Sequence, residues 1–192
     1  SGCPNSCGQH SLADLGFSGK VLRKEDRIYP AYNVLAGAVI SDGRTEFAAV
    51  LGEVPAKSLP SLVIDIFQAY LASGKASFRE YIAYEGKEDL KKICVRYKEV
   101  PSFEDDKNYY FDWDAEKVFS LAERGAGECS AGFFDLLEMD LGNIKVVKAK
   151  LSSVKESKEK EKLLLELVFY SSRALLITRG IDSKSEEEVY AA

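Results

Sequence analysis

Two cysteines near the beginning of the chain carry the clearest chemistry in the sequence. Cys3 and Cys7 flank a short segment whose Pro4-Asn5 pair favours a tight turn, so that two thiolates can reach one soft metal centre. Thiolate ligands favour iron–sulfur clusters, zinc and copper(I) over hard cations. Imidazole ligation is disfavoured, because His10 is the only histidine in the chain. These residues therefore indicate soft-metal binding by thiolates.

The Cys3–Cys7 pair is half of a ligand set, since clusters and structural zinc sites usually take four protein ligands. The other two cysteines, Cys94 and Cys129, are isolated in the sequence, and both are expected to be structural residues. The residues alone leave open an incomplete soft-metal site, two reduced thiols in a turn, and a redox-sensing thiol pair. A disulfide across so short a loop is a further alternative, although the composition is not that of a secreted disulfide scaffold.

The composition is that of a chain with enough apolar residues for a core of its own. It has 192 residues, of which 46% are hydrophobic and 30% are charged, and its formal net charge is −5. This acidic balance argues against nonspecific nucleic-acid binding. The isolated cysteines suggest a reducing compartment, and the sequence shows neither an apolar run of membrane-spanning length nor a signal peptide at its start. We therefore expect a soluble, cytoplasmic protein of one or two domains that binds neither nucleic acid nor membranes.

The string around the two cysteines, Gly-Cys-Pro-Asn-Ser-Cys-Gly at positions 2–8, resembles the second half of the signature of siroheme-containing nitrite and sulfite reductases. In that family a C-x5-C pair precedes a C-P-N-x-C pair. The four thiolates hold a 4Fe–4S cluster, and the last cysteine also bridges to the siroheme iron. The resemblance implies that Cys3 and Cys7 are cluster ligands, with Cys7 at the bridging position. It also implies that Asn5 and Gly8 shape the turn against the macrocycle.

The same resemblance implies an activity for a longer parent protein. Such an enzyme takes electrons from a donor, a ferredoxin or a reductase, and reduces nitrite to ammonia or sulfite to sulfide in six one-electron steps. The upstream cysteine pair does not occur in this sequence, and residue 1 is not a methionine. We therefore expect a fragment of a longer polypeptide, which on its own is inactive and lacks the cluster and siroheme. The alternative is a non-catalytic interaction or scaffold module whose cysteine pair is a remnant.

The elements that would position the cysteines are expected to form an α+β domain, in which helices pack on a small antiparallel β-hairpin or sheet. Residues 11–16 predict one or two helical turns. The basic stretch of residues 19–27 predicts a solvated loop, with the alternative that its cations neutralise siroheme carboxylates. Residues 29–40 and 45–54 predict two antiparallel strands, joined by an Asp-Gly turn at residues 41–44.

Three helical segments are predicted after this hairpin. The first covers residues 58–73 and carries an apolar stripe of helical period. A shorter helix opens at Ser77 in a capping-box pattern, and a third covers residues 87–95. A strand pair followed by a helix is also the order in the reductase family, and the resemblance covers about residues 1–95.

The composition changes between residues 100 and 114, where prolines and acidic residues precede a group of aromatic residues. Rings in such a segment more often pack into a core than form a binding surface, and packing is the expectation here. We assign residues 1–100 to the C-terminal part of a reductase domain, residues 101–115 to a linker, and residues 116–192 to an all-α helical-bundle domain.

The helical part is expected to contain a long helix over residues 128–151, although the Gly142-Asn143 pair suggests a break within it. This part resembles the HEPN-type helical domain that is appended to some bacterial nitrite/sulfite reductase-like proteins. The resemblance rests on residues 124–132 and 171–176. Some HEPN domains are ribonucleases with an Arg-x4–6-His motif, but no histidine follows Arg173 in this chain. The resemblance therefore implies a docking or scaffolding role rather than a nuclease.

Overall fold

The computed structural model describes residues 6–121, 131–179, 181, 183 and 185–191. The chain divides into two compact units. One comprises Ser1–Lys24 with Ile28–Phe119, and the other comprises Glu25–Arg27 with Ser120–Ala192. The first unit contains strands and helices and the second contains long helices, so the predicted α+β class with a helical part after it is confirmed.

A three-stranded sheet forms the centre of the first unit. The strands of this unit are β1 (Leu15–Lys24), β2 (Arg27–Ala36), β3 (Val39–Ser41), β4 (Arg44–Glu46) and β5 (Ala49–Pro55). β2 lies between β1 and β5, and β3 pairs with β4 in a separate two-stranded sheet. β2 and β5 run antiparallel, with Ala31 opposite Pro55 and Ala36 opposite Ala49. The antiparallel pairing predicted around the Asp-Gly turn is therefore confirmed, but each of the two predicted strands is divided between the two sheets.

β1 occupies a stretch for which the sequence-based prediction is wrong. Residues 11–16 were expected to form helical turns, but Ser11 and Leu12 belong to the 3-10 turn His10–Leu12, and Leu15 and Gly16 begin β1. Most of the basic stretch of residues 19–27 is strand rather than loop. A strand accommodates this many charges because successive side chains point to opposite faces and can find partners there. Lys20 does so, since its Nζ lies 2.7 Å from Oε1 of Glu53 on β5.

The helices of the first unit follow the sheet in the chain. They are α1 (Leu59–Ser73), α2 (Phe78–Tyr81) and α3 (Lys87–Tyr97), with a π-helical segment, Ile82–Gly86, between α2 and α3. Gly74 ends α1 in the left-handed conformation, with φ at 67°. Ser77 Oγ accepts a hydrogen bond of 3.1 Å from Glu80 N, as the predicted capping box requires. The three predicted helical segments are confirmed, but the second and third form one continuous helical stretch.

α1 and α3 pack against the sheet and bury the main core. Its most buried members are Val34, Ala36, Val54, Leu62, Ile66, Tyr81, Ile82, Leu90, Ile93 and Cys94. β5 and α3 approach each other closely, since a Cβ placed on Gly52 would lie 2.5 Å from Cys94 Cβ. Only 2% of Cys94 is exposed, which confirms the prediction that it is a core residue.

The aromatic residues near the end of the first unit differ in burial. Tyr110 is 1% exposed, and its ring meets that of Tyr29 edge-on at 5.9 Å between centroids. Trp113 is half exposed, and its ring centroid lies 4.4 Å from Lys57 Nζ. Packing into a core is thus confirmed for Tyr110 and not for Trp113. The domain boundaries assigned from the sequence, including a linker at residues 101–115, stay a prediction.

The second unit is built on two long helices. Its helices are α4 (Ala131–Ser153), α5 (Ser157–Ile177) and the short α6 (Glu186–Ala191). α4 continues through Gly142 without the break that the sequence suggested, because packing along α5 outweighs the weak helix propensity of one glycine. Arg173 of α5 and Asp140 of α4 form a buried ion pair, with Nε and Oδ2 separated by 2.8 Å. None of the helices within the described ranges is both long and apolar enough to span a bilayer.

Candidate functional site

Cys7 lies at a central position of the turn formed by residues 6–9. Gln9 N donates a hydrogen bond of 2.6 Å to Ser6 O, which closes the turn. Ser6 and Gln9 both have left-handed backbone conformations, with φ angles of 56° and 55°. Cys7 and Gly8 are exposed. The turn therefore presents the thiol on the outside of the first unit, where a partner can reach it.

The turn is anchored to the sheet. Ser6 Oγ and Ser11 Oγ lie 2.6 Å apart, and Ser11 N donates to Ser6 Oγ at 3.4 Å. Ser11 O accepts a hydrogen bond of 2.8 Å from Ala48 N, next to the start of β5. These bonds, together with the 3-10 turn His10–Leu12, fix the position of Cys7 relative to the strands.

His10 follows the cysteine turn and is a packing residue. Only 7% of it is exposed, and a Cβ on Gly16 would lie 2.2 Å from His10 O, so only glycine allows β1 to come this close. Burial lowers the pKa of the His10 imidazole below its ordinary value of 6.5, which makes the ring neutral at pH 7. Its Nδ1 makes no hydrogen bond within the described part of the chain.

The structure places two of the four predicted cofactor-binding residues. Cys7 and Gly8 lie side by side in the turn, whereas Cys3 and Asn5 lie outside the described residues. Cys129 is also outside them. Burial raises the pKa of the Cys94 thiol to about 11, so this thiol is protonated at neutral pH and unsuited to be a ligand.

The described residues fit one thiolate ligand to a soft metal centre. Cys7 supplies an accessible sulfur on an anchored turn, which is the type of donor that iron–sulfur clusters take from proteins. Within the described ranges, no group of three or more His, Cys, Asp or Glu side chains is placed to hold a metal ion. A complete ligand set would therefore need donors beyond the described residues.

Two basic residues of β1, from the stretch that was an alternative for neutralising cofactor carboxylates, have partners within the first unit. Lys20 pairs with Glu53, and its side chain is only 16% exposed. Lys24 donates to the backbone oxygen of Val100. Each of these two ammonium groups therefore already uses one of its three N–H donors within the first unit.

The sequence-based analysis missed the residues that anchor the turn. Ser6 and Ser11 were not singled out, because their contact depends on two left-handed residues whose conformation the sequence does not announce. Asp14 was also missed, although it accepts two hydrogen bonds from Arg79 of α2, at 2.8 and 3.2 Å. These two residues are 65 positions apart, and a single sequence gives no signal that pairs them.

Three curated proteins illustrate what the chain is similar to. It is 26% identical over 121 residues to the assimilatory ferredoxin-dependent nitrite reductase of Haloferax mediterranei, a match covering 60% of this chain and 21% of that protein. It is 41% identical over 70 residues to the chloroplastic ferredoxin–nitrite reductase of Betula pendula, covering 34% of this chain and 11% of that protein. It is 38% identical over 52 residues to the ferredoxin–nitrite reductase of Synechococcus elongatus, a match covering 27% of this chain and 9% of that protein.

Each similarity covers only part of this chain and only part of the relative. The chain spans about a fifth or less of the length of the curated relatives it matches. No family model matches the chain, and no solved structure matches it. Over part of its length, the chain is thus similar to one class of oxidoreductases, the ferredoxin-dependent nitrite reductases.

Proposed function

We propose that this chain supplies half of the thiolate ligands of a 4Fe–4S cluster with siroheme, in an oxidoreductase that reduces nitrite. Cys3 and Cys7 would be the cluster ligands, with Cys7 at the position that matches the family's bridging cysteine. Asn5 and Gly8 would shape the turn against the macrocycle. The observation that carries the proposal is the exposed Cys7 thiol on an anchored turn, in a chain similar to ferredoxin-dependent nitrite reductases.

Each part of the turn has a separate task in this proposal. Cys7 holds the metal centre, and Gly8, which has no Cβ, leaves room for a flat macrocycle to approach the backbone. The Ser6–Ser11 hydrogen bond fixes the sulfur before the cofactor arrives, which reduces the ordering that binding requires. When bound, the cofactors supply the redox chemistry, and the protein supplies ligation and position.

Nitrite and ferredoxin are the substrate and the electron donor that we propose for the parent protein. Both words occur in the names of the curated relatives. Sulfite as the substrate, and a reductase as the donor, rest on the sequence resemblance alone. Nitrite is therefore the first substrate to assay.

The test is cofactor loading of the full-length polypeptide that carries residues 1–192, purified without oxygen. Cys7→Ser is expected to lose siroheme absorbance and most of the iron and acid-labile sulfide, because it removes the bridging thiolate. Cys94→Ala is the matched control and is expected to keep both, since Cys94 is buried in the core. A Cys7→Ser protein with the iron content and spectrum of the wild type would contradict the proposal.

A docking role of the helical unit is the second candidate function. It is favoured by large apolar side chains that α4 and α5 expose, including Phe134 at 65%, Leu165 at 59% and Leu175 at 68%. The HEPN-type resemblance points the same way, although residues 124–130 of its first stretch (124–132) lie outside the described residues. The loading experiment separates the two functions, because a full-length protein that takes up neither iron nor siroheme supports docking.

A further inference from the structure

A cavity of about 320 Å³ lies on the first unit. Its walls come from the segment before β1, from the β3–β4 hairpin with the residues that lead into it, and from the continuous helical stretch of α2 and α3. A volume of this size accommodates a small organic molecule. The sequence-based analysis singled out none of the cavity's residues as a site.

Two of the three cations in the cavity wall are neutralised by a carboxylate. Arg79 binds Asp14 through hydrogen bonds of 2.8 and 3.2 Å. Arg44 binds Glu46 through hydrogen bonds of 3.0 and 2.8 Å. Lys87 makes no hydrogen bond or ion pair with any residue in the described ranges. The cavity wall therefore carries one uncompensated positive charge.

The position of Lys87 is set by two local features. The π-helical segment Ile82–Gly86 directly precedes it, and π-helical turns inside α-helices frequently lie at functional sites. Gly37 has a φ of +84°, and a Cβ there would lie 2.4 Å from Lys87 Cε and 2.9 Å from its Nζ. The lysine side chain thus lies across the backbone at Gly37, which only glycine permits. The neighbouring acids on α3, Glu88 and Asp89, each pair with a lysine three positions further on.

The remaining wall of the cavity is apolar and is formed by Ala38, Val39, Ile82 and Ala83. Such a wall suits a hydrocarbon group and disfavours a fully hydrated inorganic anion. We propose that this cavity binds a small organic carboxylate. Its carboxylate group pairs with Lys87, and its hydrocarbon part lies against the four apolar residues. The proposal does not depend on cofactor binding at the cysteine turn.

A titration of the ¹⁵N-labelled chain with butyrate, followed by NMR at constant ionic strength, tests this site. Saturable shifts are expected at the amides of Gly37, Ala83 and Lys87, which border the cavity. Butyramide has the same shape without the charge, and sulfate has charge without the hydrocarbon part. Neither is expected to produce saturable shifts at these amides.

Two variants and one matched control connect the shifts to the cavity. Lys87→Gln is expected to weaken butyrate binding about tenfold, because it removes a charge-assisted hydrogen bond. Ala83→Leu is expected to weaken it by filling the cavity, without a change of charge. Lys91→Gln removes a lysine from the same helix but outside the cavity, and it is expected to bind butyrate as the wild type does.

The proposal is overturned if wild-type shifts do not saturate, or if butyramide or sulfate reproduces them. It is also overturned if Lys87→Gln and Lys91→Gln respond alike. If Lys87→Gln does not fold, Ala83→Leu decides the matter, since wild-type affinity in that variant would place butyrate elsewhere. A loss of cofactor in Cys7→Ser has no bearing on any of these outcomes.

Discussion

At the scale of single residues, burial separates the two described cysteines into different chemical classes. Cys7 is exposed on the turn, and Cys94 is 2% exposed in the core. Because the thiolate is the reactive and metal-binding form, burial excludes Cys94 from both roles at neutral pH. The sequence shows two cysteine side chains, whereas the fold decides which of them is available for chemistry.

The raised pKa of Cys94 predicts a loss of stability at alkaline pH. The thiol titrates at 9.0 without burial and at about 11 in the folded chain, so the folded state binds more protons between these values. Stability from this residue is fully present below pH 9 and falls as the pH rises toward about 11. Urea unfolding across this range should show a weaker pH dependence for Cys94→Ala than for the wild type. An unchanged dependence in Cys94→Ala, or a weakened one in a Cys7→Ala control, would contradict this assignment.

Gly52 is a tightly packed position at which one added methyl group should destabilise the fold. An added Cβ would lie 2.5 Å from Cys94 Cβ, so β5 and α3 must separate to admit it. Gly52→Ala is expected to lower the free energy of unfolding by about 1–3 kcal/mol, as overpacking does. Gly43→Ala is the control, because no atom lies within 4 Å of its added Cβ and only its positive φ is disfavoured. Denaturant unfolding would refute the packing argument if Gly52→Ala were the milder of the two.

At the scale of elements, the α4–α5 pair is held by an ion pair inside its interface. Arg173 and Asp140 are 5% and 1% exposed. Because water does not reach either charge, each is stabilised by the opposite charge of its partner. The guanidinium also lies 4.7 Å from the ring centroid of Phe169. This ion pair fixes the register of α5 along α4, which the nonspecific packing of apolar side chains alone does not do.

Replacing one partner of this ion pair should lower the free energy of unfolding more than replacing both partners. Arg173→Met leaves the Asp140 carboxylate buried without a partner and is expected to destabilise the helical unit by about 3–5 kcal/mol. The double variant Arg173→Met with Asp140→Leu is expected to recover most of that loss. Helical circular dichroism during urea unfolding measures both. Equal destabilisation by the single and the double variant would show that the arginine acts through its packing alone.

At the scale of the whole molecule, the features predicted correctly from the sequence are those that depend on residues close together in the chain. The β2–β5 pairing followed from two apolar runs around Asp42-Gly43, and α1 followed from an apolar stripe. The burial of Cys94 followed from its place on the apolar side of a predicted helix. In each case the residues that determine the element are close together in the chain.

The features that the sequence did not predict depend on partners distant in the chain. The part of β1 from residue 19 onward was interpreted as a solvated loop, because the sequence does not show that Lys20 pairs with Glu53 and that Lys24 donates to Val100 O. The uninterrupted course of α4 through Gly142 depends on α5. The cysteine turn was predicted as a motif, but its anchors were not, since Ser11 is held by Ala48 of the strand connection. Hydrophobic periodicity and turn-forming residues do not show which distant residues will be in contact.

The π-helical segment Ile82–Gly86 determines the direction around the helix axis in which the side chains of α3 point. Each residue advances an α-helix by about 100°, so removing one residue from this segment would rotate the rest of the helix by that amount. Such a deletion would turn Cys94 away from Gly52 and Lys87 away from Gly37 in a single step. A change of length here is therefore expected to be more disruptive than substitutions at the exposed residues Ala83, Tyr84 and Glu85.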